Sequence, residues 1–321
     1  MKLTSRIIQC VIVSAALLST FGLQAQTFPN KPIRIVVPFA PGGNVDVTAR
    51  VISAAMTKQL NQTVFVENKT GAGGKIGAES AIRSPADGYT LLMGSNSSLS
   101  VAPNLYSNWP YDPLTGLAPI THLASVPFVL ITRPGLGVKS MADLVRMAKQ
   151  KPGSLTMASA GSGTSNQLVG EFFQSVTGTS FLHVPYKGGG PATTAVVSGE
   201  AQLIAGTPAA LSTQLQSNRL RLLAVTSDTR LKAFPDAPTV SESGVPGYEY
   251  RGWVAVLGPA GLPRPIVDRL NAEIKKVLDR PDNKLGELEP WHMTPEQAQA
   301  RIRADYEKHG KLVKAIGGIP N

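Results

Sequence analysis

Short aliphatic runs alternate along this chain with longer stretches in which apolar residues return every three or four positions. The run IRIVV at Ile33–Val37 is apolar at all positions but Arg34 and is fenced by Pro32 and Pro38, the composition of a buried strand. Over 45–60, Val45, Ala49, Ile52, Met56 and Leu60 fall on one stripe, the spacing of a helix that buries one face. Runs at 63–66 and 89–93 read as two more strands, with a helix from about 74 to 83 between them. That strand–helix alternation predicts a parallel sheet.

A proline- and glycine-rich stretch at 107–119 breaks the rhythm, which then restarts. A strand at 127–132 leads to a helix capped by Ser140 and running through 149. A strand at 155–159 and a helix at 166–176 follow, with further strand and helix units around 181–184, 191–198, 203–205, 212–216 and 220–225. After a loop-rich 227–250 come a strand at 253–257 and a helix at 263–278 that puts Ile266, Leu270, Ile274 and Val277 on one face. The last helix, 295–316, has Pro295 near its start and Glu296 in its first turn, where an acid complements the dipole. Two helices cannot make a lobe alone, so they are expected to return to the first one. The reading is thus α/β in two lobes, 26–125 plus 250–321 and 126–249, each a mixed, mostly parallel sheet flanked by helices.

The two ends and the charge narrow the picture. Lys2 and Arg6, an apolar 7–18 and Leu23-Gln24-Ala25 have the layout of a secretory signal peptide over 1–25, which places the mature protein in the periplasm. The apolar run is short of the roughly 20 residues that a spanning helix needs. Cys10, the only cysteine, lies inside it, so the mature chain has no disulfide, thiolate ligand or cysteine nucleophile. The net charge of +10 falls to +8 without Lys2 and Arg6, and it is scattered. No basic stripe interleaved with aromatics is present, which argues against nucleic-acid binding.

Four glycine-rich elements precede helices: Pro41-Gly42-Gly43, Gly71 to Gly74, Gly161-Ser162-Gly163 and Gly188 to Gly190. Singly, each is a turn. Neither a phosphate-binding loop nor a dinucleotide fingerprint is formed, so no nucleotide cofactor is expected. Two of the turns matter together, because Gly42-Gly43-Asn44 in one lobe and Gly161 to Ser165 in the other would set helix mouths across a cleft, with Asn44 capping the first helix. A carboxylate there would meet backbone N–H groups and the hydroxyls of Ser162, Thr164 and Ser165. Charge-assisted hydrogen bonds at about 1.5–3 kcal/mol each and dipoles at roughly 0.3–1 kcal/mol approach the ~8 kcal/mol of micromolar binding only if both lobes contribute. Asp46 is awkward beside an anion and reads as structural, paired with Arg50 one helical turn on. Ser95 and Asn96 follow the third strand, where open parallel sheets bind ligands. Tyr186 and Lys187 either meet the ligand or simply end a strand. The four histidines have no metal-ligand spacing, no G-x-S-x-G elbow is present, and no histidine stands beside a serine, so neither a metal nor an enzyme is called for.

From Pro32 to Gly43 with Asp46 and Ala49-Arg50, through Val66-Glu67-Asn68, Gly71 to Gly74, Ile76-Gly77, Asp87 to Leu92, Pro119-Ile120 and Lys151-Pro152-Gly153, ordered matches accumulate. His183 to Gly188, Leu223 to Thr226, Pro238-Thr239-Val240, Pro246-Gly247-Tyr248 and Pro259-Ala260-Gly261 continue them. On these residues the chain resembles the Bug-type periplasmic receptors of tripartite tricarboxylate transporters. The resemblance implies a two-lobed, type II-like binding-protein fold with a small carboxylate shut between the lobes. It also implies a ligand site at Phe39, Ala40, Pro41, Gly42, Gly43, Ser95, Asn96, Ser159, Gly161, Ser162, Gly163, Thr164, Ser165, Tyr186, Lys187 and Thr207. No cofactor or metal, a membrane permease as partner, and a monomeric receptor go with it. The chain departs from the family in carrying Gln167 where a histidine is usual and Gly206-Thr207 where an acid is frequent, which favours a plain carboxylate over an amino acid. The segment 281–293 is shortened, and His309 replaces an aromatic. Two other roles stay open on the residues: a ligand sensor for a signalling kinase, and an enzyme on the same scaffold.

Overall fold

The structure, a computed structural model, describes residues 28–280 and 288–317. The expected signal peptide, Cys10 with it, and residues 281–287 of the shortened segment lie outside them. The chain divides after Asn30 into an N-terminal unit and a body that starts at Lys31, to which every element named below belongs.

Ile33–Val37 (β1) is the strand its composition predicts, with Ile33, Ile35, Val36 and Val37 fully buried as in a sheet covered on both faces. It lies between Val64–Asn68 (β2) and Thr90–Ser95 (β3), both parallel to it, and the crossovers are Asn44–Leu60 (α1) and Lys75–Ile82 (α2). Helix α2 rests so closely on the end of β1 that a Cβ on Gly77 would stand 2.6 Å from Pro38 Cα. After β3 the chain winds through a π-helical segment, Ser97–Val101, into the short Ala102–Leu105 (α3).

Leu117–Pro127 (β4) is an eleven-residue strand where the sequence suggests the end of a break. Pro119 and Pro127 disguise it, since proline cannot donate to a ladder. Its antiparallel pairing with Arg251–Pro259 (β10) shifts register twice, once beside the Leu257–Pro119 pair, and that irregularity accommodates the proline. Strand β10 also pairs antiparallel with β3, and Glu289–Pro290 (β11) adds to the far side of β4, giving the order β11-β4-β10-β3-β1-β2.

One residue past β4, at Phe128, the chain enters a second sheet as Val129–Thr132 (β5). That sheet has the order β7-β6-β8-β5-β9, built from Thr156–Ser159 (β6), Leu182–Pro185 (β7), Leu203–Gly206 (β8) and Arg221–Val225 (β9). Strand β6 runs parallel to β7 and β8, whereas β5 is antiparallel to β8 and β9. Met141–Gln150 (α4), Ser165–Thr177 (α5), Gly189–Ser198 (α6) and Pro208–Gln216 (α7) accompany it, over a core that includes Val129, Ile131, Ala158, Val196 and Ile204. The chain returns to the first sheet through β10. The crossings are laced together: Phe128 N donates to Thr226 Oγ1 (3.0 Å), Thr226 N to Phe128 O (2.8 Å), and Tyr250 N to Thr226 O (2.8 Å).

Arg264–Leu278 (α8) packs on α1 and β4, burying Val267, Leu270, Ile274 and Val277 while Ile266 is half-buried. Pro295–Ala315 (α9) lies against β4 and the π-helical segment, its start closed by a Thr294–Gln297 capping box. Two mixed sheets flanked by helices and joined by crossing strands make the two-lobed α/β fold expected, but neither is mostly parallel, because β4, β5 and β10 pair antiparallel with their neighbours. Among the described residues no helix is long and apolar enough to cross a membrane.

Candidate functional site

The first-lobe rim starts where β1 ends. Gly43, in extended conformation, is the N-cap of α1, and Asn44 is the first helical residue, with no capping bond from its side chain. The expected Asn44 cap is therefore corrected: glycine takes the cap geometry without a side chain, and the first-turn N–H groups stay open toward the cleft. Asp46 is structural, as its spacing suggests. It is buried and accepts from Gly42 N (3.1 Å), Arg50 Nε (3.0 Å) and Asn68 Nδ2 (2.9 Å), thereby tying the turn to β2. Burial alone would raise its pKa, but the hydrogen bonds from Arg50, Asn68 and Gly42 outweigh it and hold the carboxyl below its ordinary value.

Across the cleft three more helices start without side-chain caps, α5 behind Thr164, α6 behind Gly188 and α7 behind Thr207. The contrast is with α4 and α9, whose starts are closed by Ser140 and Thr294. Between the lobes lies a small cavity. Gly43, Asn44 and Val45 at the start of α1 line it with Gly189 of α6 and Thr207, Ala210 and Leu211 around α7. Phe39 and the end of β3 (Ser95, Asn96, Ser97) close one side, and Val126, Phe128 and Trp253 from the crossing strands form an apolar wall. Ser95 is 3% exposed, and its Oγ has no hydrogen-bond partner. A buried orphan hydroxyl facing a cavity is what a bound oxygen would satisfy.

The lobes stand shut around this space. Ala40 N donates to Lys187 O across the gap (3.2 Å), Ser165 N to Ser97 Oγ (2.9 Å), and Pro41 to Gly43 abut Gly188 to Gly190.

Of the residues expected to bind, Phe39, Gly43, Ser95, Asn96 and Thr207 line the cavity. Ala40, Pro41 and Gly42 instead form the lobe–lobe seam. Gly161, Ser162, Tyr186 and Lys187 line a separate crevice, which shares Phe39 and Ala160 with the cavity. There the Tyr186 hydroxyl donates to Glu200 (2.7 Å), and desolvation with that carboxylate pushes its pKa up to about 12. Ser159, Gly163, Thr164 and Ser165 line neither space and are bonded within the protein. The second-lobe side of the cavity is formed by Asn166, Gly189, Thr193 and the start of α7, which the sequence reading passed over except for Thr207. The glycine run Gly188 to Gly190 is the one local feature there, and it does not stand out from the other glycine turns.

One expectation fails outright: a histidine does stand beside a serine. Register pairs β6 with β7 so that His183 Nε2 lies 2.6 Å from Ser159 Oγ. Gly163 N donates to Gln167 Oε1 (2.9 Å), which turns the Gln167 amide nitrogen toward His183 Nδ1 (3.1 Å). His183 then donates through Nε2 to Ser159, whose hydroxyl donates to Gly161 O (3.1 Å). The imidazole is thus a donor to the serine and not its base, so the relay braces the turn and activates no nucleophile.

Behind the apolar wall sit two buried histidines. His122 lies edge-on between Trp253 and Trp291 (4.8 and 5.5 Å) with neither ring nitrogen bonded, and burial, aided by Arg301, depresses its pKa to about 3. His309 meets Ser100 Oγ through Nδ1 (2.8 Å) and stacks on Tyr250, and burial depresses it to about 4.

A two-lobed α/β protein with a cleft cavity rimmed by helix starts is a solute-binding protein in architecture. The chain belongs to the tripartite tricarboxylate transporter family of receptors, which it matches over residues 48–318. Protein BugT of Bordetella pertussis is 40% identical over 303 residues, covering 92% of each chain. The structure of Rpa4515 of R. palustris with adipate aligns at a TM-score of 0.89 with 32% identity, over 92% of this chain and 100% of that one. MatC of Rhodopseudomonas palustris with bound malate aligns at 0.83 with 28% identity, over 89% and 100%. Other matching structures are of a periplasmic transporter and of the periplasmic binding protein BugD. The Bug-type resemblance holds, and the family is one of transport receptors, not of enzymes.

Proposed function

We propose that this protein is a periplasmic receptor that shuts its two lobes on a small organic carboxylate and delivers it to the permease of a tripartite tricarboxylate-type transporter. The observation that carries the reading is the interlobe cavity, where uncapped starts of α1, α6 and α7 converge beside the unpartnered Ser95 hydroxyl. Helix starts attract anions, and a desolvated hydroxyl wants an oxygen. The adipate with Rpa4515 and the malate bound to MatC support the same class. The ligand contacts in this reading are Phe39, Gly43, Ser95, Asn96 and Thr207, joined by Asn44. Residues 1–25 serve as the signal peptide, lobe one comprises 26–125 plus 250–321 and lobe two 126–249, and the receptor acts as a monomer.

A thermal-shift screen of purified protein against mono-, di- and tricarboxylates tests it. Ligand at a hundred times Kd adds about 2.7 kcal/mol, a rise of several degrees in Tm for a protein of this size. No rise with any acid would overturn the reading.

A further inference from the structure

The lining of the cavity carries a bias beyond the word carboxylate. No Lys, Arg, His, Asp or Glu is among its described lining residues. Its positive character comes from the helix starts of α1, α5, α6 and α7 at about half a charge each, roughly two in all. That field offsets one or two carboxylates, and a third would be desolvated with nothing to offset it.

The neutral polar side chains narrow this to one, because most are already engaged. Asn96 donates to Tyr250 (2.8 Å) and accepts from Trp253 N (3.4 Å), Ser97 is bonded to Ser165 (3.0 Å), Asn166 donates to Ala205 O (2.6 Å), and Thr193 donates to Gly189 O (2.8 Å). Ser95 is left free, and Asn44 and Thr207 make no capping bond, a donor set for one carboxylate. The remaining wall is hydrocarbon: Val126, Phe128, Ile204, Leu211 and Trp253 are all buried, and Trp253 is pinned by its indole N–H on Asp305 (2.7 Å). A second carboxylate against that wall would lose its water and gain no partner.

We infer that the ligand is a monocarboxylate with a hydrocarbon or aromatic body, its one carboxylate at the helix starts and Ser95, its body against the Val126–Phe128–Trp253 wall. The inference rests on the receptor reading and sharpens it. Isothermal titration of the protein with the sodium salts of butanoate, hexanoate, benzoate, adipate and citrate tests it. Hexanoate or benzoate should bind at least tenfold more tightly than adipate and citrate, and each added methylene up to hexanoate should gain up to about fourfold. Adipate or citrate binding as tightly as the better monoacid would overturn the inference and leave the receptor reading standing. Silence toward all five would overturn both. Asn44→Lys, on a half-buried rim position, should raise the affinity for adipate relative to hexanoate at least fivefold. An unchanged ratio would refute the charge-matching argument.

Discussion

Gly190→Ala separates closure from folding. Gly190 lies in the first turn of α6, and a Cβ there would stand 2.7 Å from the Pro41 carbonyl oxygen and 3.6 Å from Gly42, all atoms of the opposite lobe. Real Cβ atoms essentially never approach closer than 3.0 Å, so the lobes must part by some tenths of an ångström or the seam must deform. Overpacking of this kind costs about 1–3 kcal/mol, which weakens affinity roughly 5- to 150-fold if ligand is held only by the shut form. The three nearest atoms are all of the opposite lobe, and alanine is the better helix former by about 0.5–1 kcal/mol, so the ligand-free Tm should hold or rise. Gly135→Ala is the control, because its Cβ would meet nothing within 4 Å and the residue is outside the cavity lining. The assay is isothermal titration of both variants with an acid found by thermal shift, beside their ligand-free melting curves. Affinity of Gly190→Ala within twofold of wild type would refute the idea that the seam must close this far. A ligand-free Tm several degrees lower would show that the clash is felt in folding.

Three further outcomes follow from the same geometry. Gly77→Ala should lower unfolding free energy by about 1–3 kcal/mol in urea melts, since its Cβ would meet Pro38 Cα at 2.6 Å and Lys69 O at 2.7 Å, both backbone. Ser95→Ala removes a hydroxyl that has no partner in the protein, so stability should be kept while affinity for the acid falls about five- to twentyfold by titration. His122 and His309 have folded pKa values of about 3 and about 4, below the ordinary 6.5, so they contribute stability that is complete above pH 6.5. As pH falls from 6.5 toward 4 the unfolded chain takes up protons that the folded one refuses, and stability drops. Urea melts at pH 7, 5.5 and 4.5 should show the decline, and a His122→Phe variant should flatten it; an equal decline in the variant would dismiss His122 as its source.

Strand and helix periodicity made most of the architecture legible, because β1, β3 and the amphipathic faces of α1 and α8 are buried in the way their patterns require. Strand β4 escaped notice because prolines at its start and end look like breaks until a bulged partner absorbs them. The first-lobe rim could be read from a glycine turn following a strand. The second-lobe rim could not be told apart among glycine turns of equal promise. Which of them faces the cavity is fixed by the seam that sets Gly188 to Gly190 against Pro41 to Gly43. Val126, Phe128 and Trp253 carry no local signal at all, since they become a wall only where two crossing strands meet. The Ser159–His183 contact likewise exists only through the register of β6 and β7.

The absence of any charged side chain among the described residues of the cavity lining bears on how cargo would leave. Amide dipoles grip an anion strongly only while water is kept out, in surroundings of effective dielectric about 4–20 and not about 80. Parting the halves about the crossing strands would flood the chamber and draw α1 away from α6 and α7 in a single motion. Release then requires no proton, no competing ion and no broken ion pair: a latch of this kind lets go by being opened.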